Sequence, residues 1–342
     1  MKNSHHNITR QEKDIAPGGY SLFSVGMQAR NFASALPVFE SAIAPEFYSS
    51  SSLASDIEKM CDPDVVLDDA LYLNIAVKYF FAYVHDGAHQ EKVAYKDISF
   101  LYEQFSRHQS LNEPTDDIEV MNSMRQWSSV LRVLADAPRA AHVMRAVVGQ
   151  ADLHRSWEGP FIGVDIGAGT GIMLLAQQVQ AYRSGFDDIQ TYGYQTDPIS
   201  GERTHDLIHS LGMGSVMLAD ATRKNAYGIL RGRKVSHVAN EMVAGIQQSL
   251  CAENFFDKYK TFLSVVPTSE KTVFFPDGII AHSGADGSSL ILVRENGYMV
   301  PQEYADAVFT PQGLIIEGAV LPMHKIGQDF YSFLIEERII RE

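Results

Sequence analysis

The chain has 342 residues, 45% of them hydrophobic and 20% charged, a balance that excludes wholesale disorder, collagen and coiled coil and gives length for about two domains. With 28 Lys and Arg against 42 Asp and Glu, the formal net charge is −14. That field repels phosphate backbones and anionic lipid, so neither nucleic acid nor membrane is an expected partner. A cationic substrate fits, as does the plain reading of charge for solubility.

The first residues, MKNSHHNITRQEKD, are polar and lack the apolar core of a secretory signal. The only cysteines, Cys61 and Cys251, build neither a disulfide framework nor a thiolate zinc site, so a reducing cytoplasm is the expectation. Pro17-Gly18-Gly19 marks a loop. From 21 to 150 the apolar residues recur at three- and four-residue intervals, which predicts helices. Within that stretch Leu71 to Val84 is interrupted by Asn74 and Lys78. It is too short to span a bilayer and predicts a buried or amphipathic helix. The serine run Ser49 to Ser52 either caps a helix or lies in a loop. Asn112 to Asp117 is a break, with Asp116 or Asp117 placed to cap the next helix.

After residue 160 the texture changes. FIGVDIGAGTG is a short apolar run ending in glycines, followed by the helical spacing of IMLLAQQVQAYR. IQTYGYQTDP, GSVMLADAT and VSHVANEMV are further strand-like runs, and AENFFDKYKTFLSVV is helical again. Such alternation predicts βαβ units and a parallel sheet. After Pro276, alternating runs with turn residues predict antiparallel strands and a small β-rich tail.

The sharpest signal is Val164-Asp165-Ile166-Gly167-Ala168-Gly169-Thr170-Gly171. Its glycines permit a tight strand-to-helix turn and close approach of a ligand to the backbone. The spacing is G-x-G-x-G, one residue shorter than the dinucleotide pattern G-x-G-x-x-G. Asp165, two places before the first glycine, suits a cationic ligand and opposes a pyrophosphate. A structural turn in some other α/β protein is the competing reading.

This stretch resembles motif I of the class I S-adenosylmethionine (SAM) methyltransferases. The resemblance implies SAM as cofactor, S-adenosylhomocysteine as product, and a loop around Gly167, Gly169 and Gly171 holding the amino-acid end of SAM. In that family the second strand ends in an acidic residue on the ribose hydroxyls. Here Gln195 stands at that position, with Asp197 two residues on, so the ribose contact falls to one or both without the usual acid. The third strand implies Asp220 and Ala221 near the adenine, and Asp220 also suits a helix N-cap.

Other segments resemble the protein arginine methyltransferases. Asp136-Ala137-Pro138-Arg139 is similar to the D-x-x-R helix before motif I, which implies that Arg139 meets the SAM carboxylate; a surface arginine is the plainer reading. Asn240-Glu241-Met242 is similar to the start of the loop whose two glutamates hold a guanidinium by bidentate pairing. Glu241 takes the first role. The second falls to Glu253, which sits farther along than in the family, or to Gln247 or Gln248; Glu253 also suits a helix N-terminus. Phe275-Pro276-Asp277-Gly278 resembles the turn leading out of that family's SAM-binding domain. His324 lies in a stretch weakly similar to a loop bordering the family's substrate pocket. Tyr79-Phe80-Phe81-Ala82-Tyr83 is similar to an aromatic lid motif. About fifty residues separate it from the Arg139 helix, so core packing is expected.

Together these features predict an α/β protein: a helical N-terminal domain over 1–120, a SAM-binding Rossmann-like methyltransferase domain over 121–284, and a short β-rich substrate-side tail over 285–342. That tail is shorter than the barrel and dimerisation arm of the arginine enzymes, which favours a small guanidino substrate such as free L-arginine over a protein. A homodimer stays open. No metal is required: His205 and His209, four apart on a predicted helix, read as surface histidines, and no further ligand set accompanies them.

Overall fold

The computed structural model describes residues 51–85, 96–100, 103, 130–131, 134–135, 137–240, 258, 261–269 and 271–275. It also describes the strands at 278–283, 289–295, 298–299 and 318–322. The boundaries expected at 120/121 and 284/285 lie outside the described residues, as do Asp116 and Asp117.

Among the described residues, two helices come first. α1 (Leu53–Cys61) starts at Ser52, whose hydroxyl accepts from the Ser55 amide, so the serine run ends as a helix cap. α2 (Asp69–Val84) is capped by Asp68 through the Leu71 amide at 2.8 Å. It is buried almost all round. Its two polar interruptions, Asn74 and Lys78, lie one turn apart and both reach Asp56 of α1. Lys78 Nζ is 2.5 Å from Asp56 Oδ2, with both side chains withdrawn from solvent.

Next come α3 (Ala137–Val148), a 3-10 turn at Ala151–His154, and then a βαβ succession. β1 (Phe161–Ile166), α4 (Ile172–Arg183), β2 (Ile189–Gln195), α5 (Pro198–Ser210) and β3 (Ser215–Leu218) follow in order. A second 3-10 segment (Lys224–Leu230) leads to β4 (His237–Ala239) and β5 (Val273–Phe275). The five strands form one sheet in the order β3-β2-β1-β4-β5, and every pairing is parallel. This is an α/β protein with a doubly wound, Rossmann-like sheet whose order reverses between β1 and β4.

Alternation along the strands sends side chains to two faces. Ile162, Val164, Ile166, Tyr194, Val238 and Phe274 pack with Tyr227, Leu230 and Phe262 on one face. On the other, Val216, Ala239 and Phe275 join a larger core fed by α1 to α5. Two arginines fasten the early helices to the βαβ part. Arg183, ending α4, donates to the carbonyls of Met60, Asp62 and Val65 beyond and within the last turn of α1. Arg203 of α5 donates to the Tyr83 and Val84 carbonyls at the end of α2.

β5 was not foreseen from the sequence. It is three residues long and follows no alternation of its own; its pairing with β4 defines it. Beyond it, β6 (Gly278–Ser283), β7 (Ser289–Glu295), β8 (Tyr298–Met299) and β9 (Gly318–Pro322) form an antiparallel sheet in the order β8-β7-β6-β9. Among the described residues, no helix is long and apolar enough to cross a membrane.

Candidate functional site

In an open parallel sheet, ligands bind beyond the carboxyl ends of the strands at the point where the order reverses. Here that point lies between β1 and β4, and the glycine turn occupies it. Gly167, Gly169 and Gly171 all have positive φ, at 86°, 53° and 82°. The turn is closed from within: the Gly167 and Ala168 amides both donate to the Tyr194 carbonyl of β2, and the Gly171 amide donates to the Ala168 carbonyl at 2.7 Å. Gly171 is the N-cap of α4 and offers no side chain to its first amides. The start of α4 therefore presents backbone donors and the positive end of its dipole at the sheet edge.

A side chain at Gly171 has no room. A Cβ there would stand 2.7 Å from Thr204 Cγ2 and 2.9 Å from Ile208 Cγ1, both on α5. The loop is also held from outside. Thr204 Oγ1 donates to the Gly169 carbonyl at 2.7 Å, and Tyr79 Oη donates to the Thr170 carbonyl at 2.6 Å. Burial, with the neighbouring Tyr83 and the Asp165 carboxylate, pushes the Tyr79 hydroxyl well above its ordinary range, so it stays protonated and a donor. The aromatic run of α2 is thus core, as expected, with Tyr79 reaching the loop as well. Neither Tyr79 nor Thr204 was singled out by the sequence for this contact. They sit 91 and 35 residues from the carbonyls they hold, and no spacing rule links them.

The expected cofactor residues fall at one edge because the parallel register aligns the strand ends. Asp165 lies on β1, buried, on the face that carries α4. Gln195 ends β2. Its Nε2 donates to Ser200 Oγ at 2.7 Å, and its Oε1 accepts from the Thr196 amide. Asp197 caps α5, accepting from the Ser200 amide at 2.8 Å. Asp220 follows β3. Rather than capping a helix, it closes an Asx turn, accepting from both the amide and the hydroxyl of Thr222, and pairs with Arg223 at 3.2 Å. Burial pulls its carboxyl up, but the Thr222 bonds, with Arg223 and Lys258, outweigh that and keep it below the usual carboxylate range. Ala221 is buried, and its carbonyl accepts from Tyr227 Oη at 2.8 Å.

Arg139 lies in the first turn of α3, and its side chain is outside the described residues. Glu241, Glu253 and His324, with Gln247 and Gln248, also lie outside them. The last described residue before Glu241 is Asn240, which is fully buried and whose amide donates to the Phe275 carbonyl. On α5, His205 and His209 stack in parallel with ring centroids 5.7 Å apart. Among the described residues, no group of three or more His, Cys, Asp or Glu is placed to hold a metal.

No protein-family model matches the chain, and no curated protein sequence matches it. Among solved structures, it is similar to a Trypanosoma brucei chain described as a PRMT1 enzyme-prozyme heterotetrameric complex with AdoHcy. The two are 12% identical with a TM-score of 0.35, over 57% of this chain and 61% of that chain. This chain therefore spans about three-fifths of that one's length. The fold rests on the strand order and the glycine turn described above.

Proposed function

We propose that this chain is a SAM-dependent N-methyltransferase acting on a guanidino group, with free L-arginine or an arginine-like small molecule as acceptor. One observation carries the cofactor half of that reading: the G-x-G-x-G turn at the switch point, with a buried aspartate at the end of β1. A backbone cradle beside a carboxylate fits a cationic cofactor and opposes a pyrophosphate.

The residues at the sheet edge fit SAM. The glycine turn would hold its amino-acid end, with Arg139 on the carboxylate, Gln195 and Asp197 on the ribose side, and Asp220 and Ala221 at the adenine. Bound SAM supplies a sulfonium-activated methyl group and leaves as S-adenosylhomocysteine. The chain's own work is to position the reactants and exclude water. Glu241, partnered by Glu253 or a nearby glutamine, would grip the guanidinium in its plane and leave one nitrogen lone pair directed at the methyl. Glu241 would then take up the proton that the methylated nitrogen sheds. His324 would border the acceptor. The acidic balance of the whole chain favours a cationic acceptor.

A second reading has its own support. Gln195 is neutral where the resemblance calls for an acid, and its amide is already engaged by Ser200. That favours a chain that binds SAM without turning over, as a partner of another protein.

The test is methyl transfer from labelled SAM to L-arginine, to arginine derivatives, to an arginine-rich peptide and to a panel of small oxygen and carbon nucleophiles, with Glu241→Gln as control. Methylated free arginine, lost in the variant, upholds the proposal. Transfer to the peptide alone moves the assignment to a protein arginine methyltransferase. Transfer only to oxygen or carbon acceptors, with Glu241→Gln nearly unimpaired, moves it to that chemistry. SAM binding with no transfer to any acceptor upholds the second reading.

A further inference from the structure

We infer that Thr204 of α5, together with Tyr79 of α2, is a positioning residue for the glycine loop. Two buried hydroxyls grip consecutive carbonyls and so set the peptide planes on both sides of Thr170.

The two contacts come from helices on either side of the loop in sequence and converge on consecutive carbonyls. Thr204 Oγ1 donates to the Gly169 carbonyl at 2.7 Å, and Tyr79 Oη donates to the Thr170 carbonyl at 2.6 Å. Both side chains have no exposed surface. A peptide unit is planar and trans, so its N–H points opposite to its C=O. Fixing the Gly169 carbonyl therefore directs the Thr170 amide away from α5. Fixing the Thr170 carbonyl directs the Gly171 amide back to the Ala168 carbonyl that it meets. A glycine-rich loop has little conformational preference of its own. Its backbone bonds close the turn, and outside contacts must fix the remaining peptide planes; these are the side-chain hydroxyls that reach its carbonyls among the described residues.

Packing supports the same role. The space where a Gly171 Cβ would sit is bounded by Thr204 Cγ2 at 2.7 Å and Tyr79 Oη at 3.2 Å, so the pair also shapes the turn sterically. One turn earlier on the same face of α5, Ser200 Oγ accepts from Gln195 at the end of β2. A single helix face thus sets two parts of the edge, the glycine loop through Thr204 and Gln195 through Ser200. A shift of α5 would move both together.

The expected effect on SAM affinity rests on the proposed function; the effect on the loop itself does not. The full chain is compared with Thr204→Val, Thr204→Ser and Tyr79→Phe. Valine keeps the shape of threonine and removes the donor, whereas serine keeps the donor. Amide hydrogen exchange over 167–171 is measured without ligand, and SAM binding by calorimetry. Thermal melting monitors each variant's overall fold. Exchange in that segment should quicken in Thr204→Val and Tyr79→Phe but not in Thr204→Ser. SAM binding should weaken about tenfold in the first two, and Thr204→Ser should stay within about threefold of the parent.

Loop exchange and affinity unchanged in Thr204→Val overturn the inference. So does a Thr204→Ser variant as impaired as Thr204→Val, because packing volume would then be the cause. If the parent chain does not bind SAM, the methyltransferase reading fails and the exchange result decides the inference alone: faster exchange confined to 167–171 upholds it, and unchanged exchange ends it.

Discussion

Gly171 and Gly185 share a left-handed backbone with φ of +82°, but not a setting. A Cβ at Gly171 would meet Thr204, Ile208 and Tyr79, whereas at Gly185 no atom of the described residues lies within 4 Å. Alanine at either position adopts a conformation that costs an L-residue about 1–2 kcal/mol. At Gly171 the clash with α5 adds to that. Urea denaturation of Gly171→Ala and Gly185→Ala should show both destabilised, with Gly171→Ala the worse by more than about 1 kcal/mol. Equal losses would mean that α5 yields to the extra methyl, and that the close fit around the turn is not rigid.

At the scale of elements, α1 and α2 are joined by a polar knot in an apolar setting. Asp56 accepts from Lys78, Asn74, Ser51 and Lys59, and Lys78 also donates to the Ser51 carbonyl at 2.6 Å. Burial would push the Asp56 carboxyl up, but Lys78 and Ser51 outweigh it and hold the group below its ordinary range. Its share of stability is present above the unfolded carboxyl's range and is lost as acid protonates it. Lys78→Met removes the main counter-charge and leaves the carboxylate buried beside apolar side chains. The expected cost is about 3–5 kcal/mol by chemical denaturation. A double variant, Asp56→Leu with Lys78→Met, should recover much of it, because an apolar pair needs no compensation. Failure to recover would show that Asn74 and Ser51 depend on the pair for their own partners.

For the whole molecule, two buried histidines behind the sheet edge contribute to the pH response. Gln177 Nε2 donates to the Val164 carbonyl and stands 2.8 Å from His237 Nδ1, which must therefore accept. The His237 proton then sits on Nε2, facing Gln150 Oε1 at 2.9 Å, and Gln150 Nε2 donates to the Phe274 carbonyl. This chain of bonds ties β1, α4, β4 and β5 together and suits only a neutral imidazole. Burial, with His154 nearby, pushes the His237 group well below its usual range. His154, packed edge-on against Phe161, is pushed down to about 4 by burial. Both groups are lowered on folding, so the unfolded chain takes up protons first. Their share of stability is full above about pH 6.5 and falls as pH drops towards 4. Among the described residues, none hydrogen-bonds to either ring nitrogen of His154. His154→Phe should therefore make the decline between pH 6.5 and 4 shallower and raise the melting temperature at pH 5, leaving the shares due to His237 and the other groups lowered on folding. A decline as steep as the parent's would place the acid sensitivity elsewhere.

Several features were legible before any fold was known. The G-x-G-x-G spacing marks a strand-to-helix turn because local sterics leave positive φ largely to glycine. The apolar run from Leu71 to Val84, broken by Asn74 and Lys78, marked a buried or amphipathic helix, and the βαβ rhythm marked a parallel sheet, since both follow from the periodicity of side chains along the chain. Tertiary structure decided the rest. Ser200 and the capping of α5 determine what Gln195 and Asp197 bond to, Thr222 turns Asp220 into an Asx turn, and β5 exists only as a neighbour of β4. Thr204 and Tyr79 reach the glycine loop across 35 and 91 residues. Sequence periodicity carries the conformation of neighbours along the chain. Which distant hydroxyl meets which carbonyl is settled only when helices and sheet pack, because that choice depends on the positions of whole elements in space.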